Sequence, residues 1–366
     1  MAKIEICAYL HGSGGAERQI TLLANQMVKR GHEVHFVILA ECNYCYPLDE
    51  RVNIYDLSKE ESGNGISRII KRFKALKRIT EKISPDVSVH YWFQSAYFSV
   101  IFPHKYRGKV IYAERADPYD KEFNGIVGAI RWVADFFIDG FVFQSEGARD
   151  FFSRRIKKRS VVIHNSVNVP QEKYPIPTNR EKRIVNIGRL HPQKNQKILI
   201  DAFARIADKY LDYRLDIYGD GELKSDLLEQ IKNLHLEDRV FLCGTTKAIY
   251  DKIYNASLFV LSSDYEGIPN ALLEAMALGL PCLSTDCRPG GARTLIADGE
   301  NGYIVPRKDM KALSDKMDFI LSHPEDAARI SIKARDIALT HTDEAVFNKW
   351  ESFLQIVVPK TQKSDE

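Results

Sequence analysis

The stretch that decides the fold lies at residues 258–279 and reads LFVLSSDYEGIPNALLEAMALG. Its first residues, 258–262, form a short apolar run that predicts a buried strand. A loop follows, and Asn270 is a good N-cap residue for the apolar helix predicted at 270–278. A strand, a loop and a helix in this order predict one unit of a parallel α/β sheet.

The same alternation continues along the chain in both directions. Strands are predicted at 3–10, 33–40, 87–91, 110–113, 140–143 and 161–164, and again at 183–188, 214–218, 240–242 and 281–284. Helices are predicted at 16–30, 66–83, 197–210, 223–234 and 249–255.

Residues 169–182 interrupt this alternation with three prolines among polar residues, which predicts a linker. We therefore expect an α/β protein with two Rossmann-like, doubly wound domains at 1–168 and 183–342. A helix at about 343–358 is expected to pack back on the first domain. Ligands bind beyond the carboxyl ends of the strands in such sheets, so two facing sheets would place the site in the cleft between them.

The composition excludes a disordered, a collagen-like and a disulfide-rich chain. The chain has 366 residues, of which 45% are hydrophobic and 28% charged, as in soluble globular proteins. A net charge of only +3 gives no argument for a nucleic-acid partner. Cys42 and Cys45 have C-x-x-C spacing, but no second pair and no His at ligand spacing follows, so we interpret them as free thiols.

Neither a membrane span nor a signal peptide is predicted. The most apolar window, 126–144, is interrupted by Arg131, Asp135 and Asp139 and so falls short of the roughly 18 apolar residues of a spanning helix. The first residues lack a signal-peptide pattern. The sequence therefore predicts a cytoplasmic protein.

A glycine-rich loop, residues 12–15, lies between the first predicted strand and helix. Backbone amides at such a helix start can receive a phosphate or a sugar hydroxyl. A dinucleotide fingerprint would need glycine where Glu17 stands, although Glu41 lies near the place of a ribose-binding acid. A tight turn without a ligand is the structural alternative.

The second half carries two cations and two carboxylates near strand ends. Arg189 and Lys194 follow the strand at 183–188 and suit a diphosphate. Glu266 lies in the loop of the 258–279 stretch and Glu274 lies about one turn inside its helix, so both can face one bound molecule. Carboxylates accept hydrogen bonds from sugar and ribose hydroxyls, and Gly267 allows the backbone to approach a ligand closely.

Together with the GGAER segment at 14–18, these elements resemble the retaining GT-B glycosyltransferases of family 4 over nearly the whole chain. The resemblance implies the GT-B fold, in which two Rossmann-like domains face a central cleft. It implies that Arg189 and Lys194 bind the donor diphosphate. Gly14 and Gly15 would lie under the diphosphate from the other side.

The same resemblance assigns the remaining donor contacts. Glu274 would hold the ribose, and Glu266 would hold the hydroxyls of the donor sugar. The backbone of the intervening residues would support the sugar and the phosphate: Gly267, Ile268, Pro269 and Asn270.

The chain departs from the family pattern at one place. Many members carry a His near the reacting carbon, but residues 112–118 read YAERADP, so Glu114 or Arg115 stands there, as in some polysaccharide-assembly members. The chain also has no D-x-D pair, which metal-dependent transferases of the other common fold use to hold the diphosphate. Because Arg189 and Lys194 can neutralise the leaving group instead, we predict that no metal or other cofactor is needed.

Residues 66–83 predict a strongly amphipathic, basic helix. Its apolar face carries Ile66, Ile69, Ile70, Phe73, Leu76, Ile79 and Ile83. Its basic residues are Arg68, Lys71, Arg72, Lys74, Lys77, Arg78 and Lys82. Such a helix suits an anionic lipid surface or the pyrophosphate of an acceptor, and a core-packed helix with a basic solvent face is the alternative.

These observations predict a cytoplasmic glycosyltransferase, peripheral at the inner face of the membrane. It would move a hexose or N-acetylhexosamine from a UDP-linked donor to a lipid-linked or growing saccharide, with retention. The alternatives are an NAD-dependent oxidoreductase or sugar-nucleotide epimerase, and a non-catalytic nucleotide-sugar-binding protein. Loop contacts around Asp264 and residues 288–291 would set specificity, and the sequence leaves the donor sugar, the acceptor and the linkage open.

Overall fold

The computed structural model describes residues 1–9, 14–39, 46–58, 65–115, 117–119 and 125–358. Their contacts divide the chain into two compact units. Unit 1 comprises Met1–Ser166 and Glu344–Glu366, and unit 2 comprises Val167–Asp343. No helix in the described ranges is long and apolar enough to cross a membrane. Several residues singled out from the sequence lie outside the described ranges, namely Gly12, Ser13, Glu41, Cys42 and Cys45.

Both units consist of strands that alternate with helices. The strands are β1 (Lys3–Ala8), β2 (Glu33–Ile38), β3 (Asn53–Asp56), β4 (Val87–His90), β5 (Lys109–Ala113), β6 (Gly140–Phe143), β7 (Ser160–Val162), β8 (Glu181–Ile187), β9 (Arg214–Tyr218), β10 (Val240–Gly244), β11 (Ala256–Leu261), β12 (Cys282–Thr285) and β13 (Tyr303–Val305). The helices are α1 (Gly15–Lys29), α2 (Gly65–Ile83), α3 (Phe93–Ser99), α4 (His104–Arg107), α5 (Gly125–Ala134), α6 (Glu146–Asp150), α7 (Arg154–Lys157), α8 (Gln196–Ala207), α9 (Lys224–Asn233), α10 (Ile249–Ile253), α11 (Asn270–Ala277), α12 (Gly291–Leu295), α13 (Met310–Ser322), α14 (Pro324–Arg335), α15 (Ile337–Thr340) and α16 (Asp343–Val357).

Unit 1 is a seven-stranded parallel sheet in the order β3-β2-β1-β4-β5-β6-β7, with helices on both faces. Successive strand residues point to opposite faces. On one face, Val89 clusters with α1 and with Trp350 of α16. On the other face, Cys7 clusters with α2, and Tyr112 with α3 and α5. The strand order reverses between β1 and β4, which makes this pair the switch point of the sheet.

Unit 2 is a six-stranded parallel sheet in the order β10-β9-β8-β11-β12-β13. Helices α8, α9 and α13 pack with one face, and α10, α11, α12 and α15 pack with the other. Its switch point lies between β8 and β11. The prediction of two doubly wound parallel sheets is confirmed.

The segment 169–182, expected to be a linker, packs as part of unit 2. Val169 and Tyr174 are buried in the same core cluster as α11. The Arg335 guanidinium donates hydrogen bonds to the side chain and the carbonyl of Gln171, at 2.9 and 2.8 Å. The prolines of this segment interrupt regular secondary structure, but its apolar residues Val169 and Tyr174 are still buried in the core of unit 2.

Candidate functional site

The candidate site of unit 2 lies at the carboxyl ends of β8, β11 and β12. These three strands are parallel neighbours, so the segments that follow them meet at one edge of the sheet. The switch point between β8 and β11 is at the same edge. Open α/β sheets bind their ligands at this position.

Lys194 reaches this edge because the chain after β8 makes a short 3₁₀ turn, Pro192–Lys194. The Nδ1 atom of His191 caps the turn by accepting a hydrogen bond from the backbone N–H of Gln193 at 3.2 Å. The methylene groups of Lys194 pack over Gly188, where an added Cβ would lie 3.2 Å from two of them. A side chain at position 188 would therefore require the Lys194 methylene groups to shift by a few tenths of an ångström.

The Lys194 ammonium forms an ion pair with Oε1 of Glu266. The hydroxyl of Ser263 donates a hydrogen bond to the same oxygen at 2.8 Å. Glu266 is buried and Lys194 is half-buried, so water screens this pair less than it would a surface pair. The structure thus brings two of the sequence-predicted site residues into direct contact.

Further hydrogen bonds join the loop after β8 to the loop after β11. The backbone N–H of Asp264 donates to the carbonyl of Gln193 at 2.8 Å. The side-chain amide of Asn195 donates to the Asp264 carboxylate at 3.2 Å, and the hydroxyl of Ser262 donates to the Lys194 carbonyl at 2.8 Å. These contacts fix the position of Lys194. Of these residues, the sequence singled out Lys194 for the donor diphosphate and the surroundings of Asp264 for specificity. It missed Ser262, although hydroxyls directly after an apolar strand were a usable signal.

The loop after β12 closes on the same place. The backbone N–H of Glu266 donates to the carbonyl of Arg288 at 2.6 Å. Gly291 lies so close to the Gly267 carbonyl that any side chain at position 291 would collide with it. The close approach explains why glycine occurs at 291, in the loop that the sequence pointed to for specificity.

Helix α11 begins beside this cluster of loops. Pro269 occupies its N-cap and Asn270 is its first residue, so the prediction that Asn270 caps the helix is wrong. No side chain caps this helix in the part of the chain that the structure describes. Its first amides and its dipole therefore favour an anion. Glu274 is buried about one turn inside α11.

Arg189 lies at the end of β8 with its side chain exposed. Its carbonyl accepts a hydrogen bond from the Gln196 side chain at 3.0 Å, which fixes the backbone there. Among the described residues, its guanidinium has no hydrogen-bond or ion-pair partner. The position leaves this cation available to a ligand.

In unit 1, Gly14 and Gly15 lie at the N-terminus of α1. Gly14 is the N-cap and Gly15 the first helical residue. The Glu17 carboxylate folds back so closely that a Cβ on Gly14 would collide with it. A phosphate bound at this helix end would have to displace that carboxylate.

The resemblance places Glu114 near the reacting carbon, and in the structure this residue is buried within unit 1. Its buried carboxylate accepts a hydrogen bond from the Tyr112 hydroxyl at 2.9 Å and pairs with Arg131 at 3.1 Å. The alternation of β5 turns Glu114 toward the face that α5 covers, so this carboxylate is engaged inside unit 1. Arg115 instead donates to the Asn165 side chain at 2.7 Å and lies over the Tyr91 ring.

Helix α2 is partly packed in the core and partly exposed, so it has features of both predictions for the basic segment. Its second half packs on the sheet through Ala75, Leu76 and Ile83, whereas Ile69 and Ile70 are exposed. Most of its predicted acceptor or membrane residues are exposed: Arg68, Lys71, Lys74, Lys77 and Arg78. Arg72 differs, because its guanidinium donates to the Tyr9 hydroxyl at 2.9 Å and lies over the Tyr9 ring.

A group of possible metal ligands occurs in unit 1. Glu5, Cys7 and His90 have ligand atoms within 4.8 Å of one another, the one such group in the described ranges. All three are buried, and both carboxyl oxygens of Glu5 already accept hydrogen bonds, from Thr80 and from Ser88. We therefore interpret this group as a hydrogen-bonded cluster of the sheet.

Two family models match the chain in succession. Residues 13–171 match the model described as Glycosyltransferase Family 4, and residues 170–337 match Glycosyl transferases group 1. The chain is also 31% identical over 325 residues to N-acetylgalactosamine-N,N'-diacetylbacillosaminyl-diphospho-undecaprenol 4-alpha-N-acetylgalactosaminyltransferase of Campylobacter jejuni. That match covers 83% of this chain and 86% of the relative. An uncharacterized glycosyltransferase of Haemophilus influenzae is 25% identical over 350 residues, covering 93% and 96% of the two chains.

Solved structures share the fold. Anabaena HepE in complex with UDP matches with a TM-score of 0.78 at 19% identity, covering 97% of this chain and 100% of that chain. Sucrose-phosphate synthase from Thermosynechococcus elongatus matches with a TM-score of 0.81 at 16% identity, covering 98% and 99%. These findings favour glycosyl transfer over the oxidoreductase alternative. With two doubly wound sheets and a cation–carboxylate pair at the switch point of unit 2, the chain belongs to the group 1 glycosyltransferases of family 4, with the GT-B fold.

Proposed function

We propose that this protein transfers a hexose or N-acetylhexosamine from a UDP-linked donor to a lipid-linked or growing saccharide. Transfer occurs with retention at the anomeric carbon and without a metal ion. The observation that carries the donor half is the Lys194–Glu266 pair at the switch point of unit 2. A nucleotide sugar is complementary to such a pair, because its diphosphate is anionic and its hydroxyls donate hydrogen bonds.

Three groups of unit 2 serve the leaving diphosphate in this proposal. They are the exposed guanidinium of Arg189, the ammonium of Lys194 and the amides at the start of α11. Together they neutralise the charge that develops on the leaving phosphate, which is the work of the divalent ion in metal-dependent transferases.

The carboxylates of Glu266 and Glu274 bind the sugar and the ribose of the donor, respectively. Glu266 uses Oε1 for Lys194 and Ser263, while its Oε2 has no hydrogen-bond partner among the described residues and can accept from a sugar hydroxyl. Glu274 binds the ribose hydroxyls. The glycine contact between 267 and 291 lets the backbone approach the same ligand.

The acceptor side needs no carboxylate base in this proposal. Glu114 is bound by Arg131 and Tyr112. In this proposal the acceptor oxygen forms its bond to the anomeric carbon on the face where the bond to the diphosphate breaks, which gives retention, and the acceptor proton passes to the departing phosphate oxygen. The name of the Campylobacter jejuni relative contains a diphospho-undecaprenol acceptor, which supports a lipid carrier. The exposed cations of α2 suit its pyrophosphate and an anionic membrane, so we place the enzyme at the cytoplasmic face, in peripheral contact with lipid.

Titration calorimetry with UDP, GDP, ADP and NAD in buffer with EDTA tests the donor site. We expect binding of UDP, weakened at least about tenfold in Lys194→Ala through loss of a charge-assisted contact. Lys197→Ala is the matched control, since Lys197 is an exposed lysine that pairs with Asp226 on the adjacent helix. Binding of NAD in place of UDP would overturn the proposal.

Turnover is tested with UDP-sugars and lipid extract. We expect release of free UDP in EDTA, and a product whose anomeric proton in NMR shows the configuration of the donor. An inverted product, or a requirement for Mg²⁺ or Mn²⁺, would contradict the mechanism.

A further inference from the structure

Helix α5 of unit 1 and the turn that follows it bury their charged residues and expose their apolar ones. Arg131 and Asp135 are only 4% and 7% exposed, whereas Trp132, Val133 and Phe137 are 66%, 52% and 59% exposed. A surface helix of a soluble protein normally shows the opposite arrangement. The large apolar side chains therefore face away from the core of unit 1.

Specific contacts hold the charged residues inside. Arg131 pairs with Glu114 at 3.1 Å, and its guanidinium lies 4.6 Å from the centre of the Phe152 ring. The backbone N–H of Asp135 donates to the Arg131 carbonyl, so the helical path continues beyond α5. Because residues 131, 134, 135 and 138 are all buried at helical spacing, the positions between them must turn outward.

The outward residues form one surface, here called the α5 apolar surface and consisting of Ile130, Trp132, Val133, Phe136 and Phe137. The rings of Trp132 and Phe136 contact each other edge to face, with centroids 5.2 Å apart. Single exposed apolar residues are common, but five large ones within eight residues form a contiguous patch. Such patches mark places of contact with a partner.

A basic segment borders this surface. Residues 154–159 contain five cations, and Arg154, Arg155 and Lys158 among them are exposed. The Arg155 guanidinium lies 4.2 Å from the centre of the Phe136 ring. Arg159 donates to the Asp135 carbonyl at 2.9 Å, which fixes the segment against the end of α5. Cations therefore stand directly beside exposed aromatic rings.

We propose that the α5 apolar surface inserts into the interface of an anionic lipid bilayer, with Arg154, Arg155 and Lys158 on the lipid headgroups. Trp and Phe favour the level of the headgroups, and basic side chains are attracted to anionic lipid. A second copy of this chain is the less favoured occupant, since a two-fold contact would bring two basic borders together. Helices α2 and α5 cover the same face of the sheet, so the cations of α2 can reach the same bilayer.

The purpose of this contact rests on the proposed function, because a lipid-linked acceptor requires access to a membrane. The contact itself needs neither donor nor acceptor. Binding to vesicles therefore stands if sugar transfer fails, and sugar transfer to a short water-soluble acceptor stands if binding to vesicles fails.

Co-sedimentation of the full chain with vesicles tests the proposal, using phosphatidylcholine alone and phosphatidylcholine with an equal part of phosphatidylglycerol. The double variant Trp132→Ser/Phe137→Ser should lower partitioning onto the anionic vesicles by about tenfold per residue. Leu211→Ser/Leu339→Ser is the matched control, because both leucines are 74% exposed in unit 2. Equal partitioning of wild type and the α5 double variant overturns the proposal.

Charge reversal and fluorescence give two independent readouts. Arg154→Glu/Arg155→Glu should lower the preference for anionic over neutral vesicles. Trp132 is the one exposed tryptophan of the three, so lipids brominated on their acyl chains should quench its emission. Unquenched emission overturns insertion. A dimer without lipid that Trp132→Ser/Phe137→Ser converts to monomer, with vesicle binding unchanged, would assign the surface to self-association instead.

Discussion

A buried carboxyl group makes the stability of unit 1 depend on pH. Glu5 lies in β1 at the centre of the sheet and is fully buried. The hydroxyls of Thr80 and Ser88 each donate a hydrogen bond to one of its carboxyl oxygens, at 2.8 Å. Two hydroxyl donors do not replace the hydration of a charge, so burial raises the pKa of Glu5 from 4.5 to about 7.

The direction of the effect follows from this pKa. The unfolded chain releases the proton near pH 4.5, but the folded chain holds it until about pH 7. As far as Glu5 is concerned, the free energy of unfolding of unit 1 is therefore highest below pH 4.5 and falls as the pH rises from 4.5 to about 7. Above that pH it stays at its lowest value. An interval from 4.5 to about 7 corresponds to about 3 kcal/mol in the free energy of unfolding.

Glu5→Gln keeps the shape of the side chain and removes its titration. We expect the variant to be more stable than wild type by roughly 2–3 kcal/mol at about pH 8, and similar to it at about pH 4. Urea unfolding followed by tryptophan fluorescence measures this change in unit 1, because Trp92, Trp132 and Trp350 all belong to that unit.

The control is Glu50→Gln, which removes an exposed carboxylate from the same unit. Its free energy of unfolding should follow the wild-type pH profile. If Glu5→Gln also keeps the wild-type slope between about pH 5 and pH 7, or destabilises unit 1 at every pH, Glu5 is not the titrating group and the reasoning is refuted.

The site and the ion pair beneath α5 give four further expectations. Arg189→Ala and Lys194→Ala should each lower kcat by roughly 10² or more, since each removes one group that stabilises the leaving phosphate; near-wild-type turnover would reject that role. Activity should survive excess EDTA, and loss with rescue by Mg²⁺ would reject the metal-free mechanism. Glu274→Gln should mainly raise the Kd for UDP, whereas Glu266→Gln should lower kcat more than UDP affinity; equal loss of affinity would reject this division. Arg131→Met removes the cation that pairs with the buried Glu114 carboxylate and should lower the free energy of unfolding of unit 1, read by tryptophan fluorescence, by about 3 kcal/mol; an unchanged midpoint in urea would contradict this.

The central strands could be predicted from the sequence because parallel strands are buried on both faces and appear as unbroken apolar runs. β6 and β9 have the predicted bounds, Gly140–Phe143 and Arg214–Tyr218. β3 was missed because it lies at the sheet edge, with Ile54 exposed and polar residues at both ends. β13 was missed because it has only three residues, Tyr303–Val305, too few to show a period.

The sequence motifs indicated Lys194 and Glu266 individually, each with its own role in donor binding. Their ion pair depends on β8 and β11 being neighbours, although they are far apart in the chain. No local pattern contains that information, because the neighbourhood arises from the order of strands in the whole sheet. The burial of Glu114, by contrast, could be inferred from the sequence, because the alternation of β5 places Glu114 on the same face as the buried Tyr112.

Helix α5 shows what periodicity leaves undetermined. The apolar window at 126–144 and its interruption by Arg131 and Asp135 were visible in the sequence, and they excluded a membrane span. The same pattern divides the helix into two faces but does not say which one meets the core. That choice depends on a partner elsewhere in the chain: the Glu114 carboxylate, already buried against Tyr112, offers Arg131 a counter-charge inside. Once this ion pair is buried, the aromatic face of α5 points away from the core and is exposed. Charged residues in an apolar segment can therefore indicate an exposed apolar surface as well as a soluble helix.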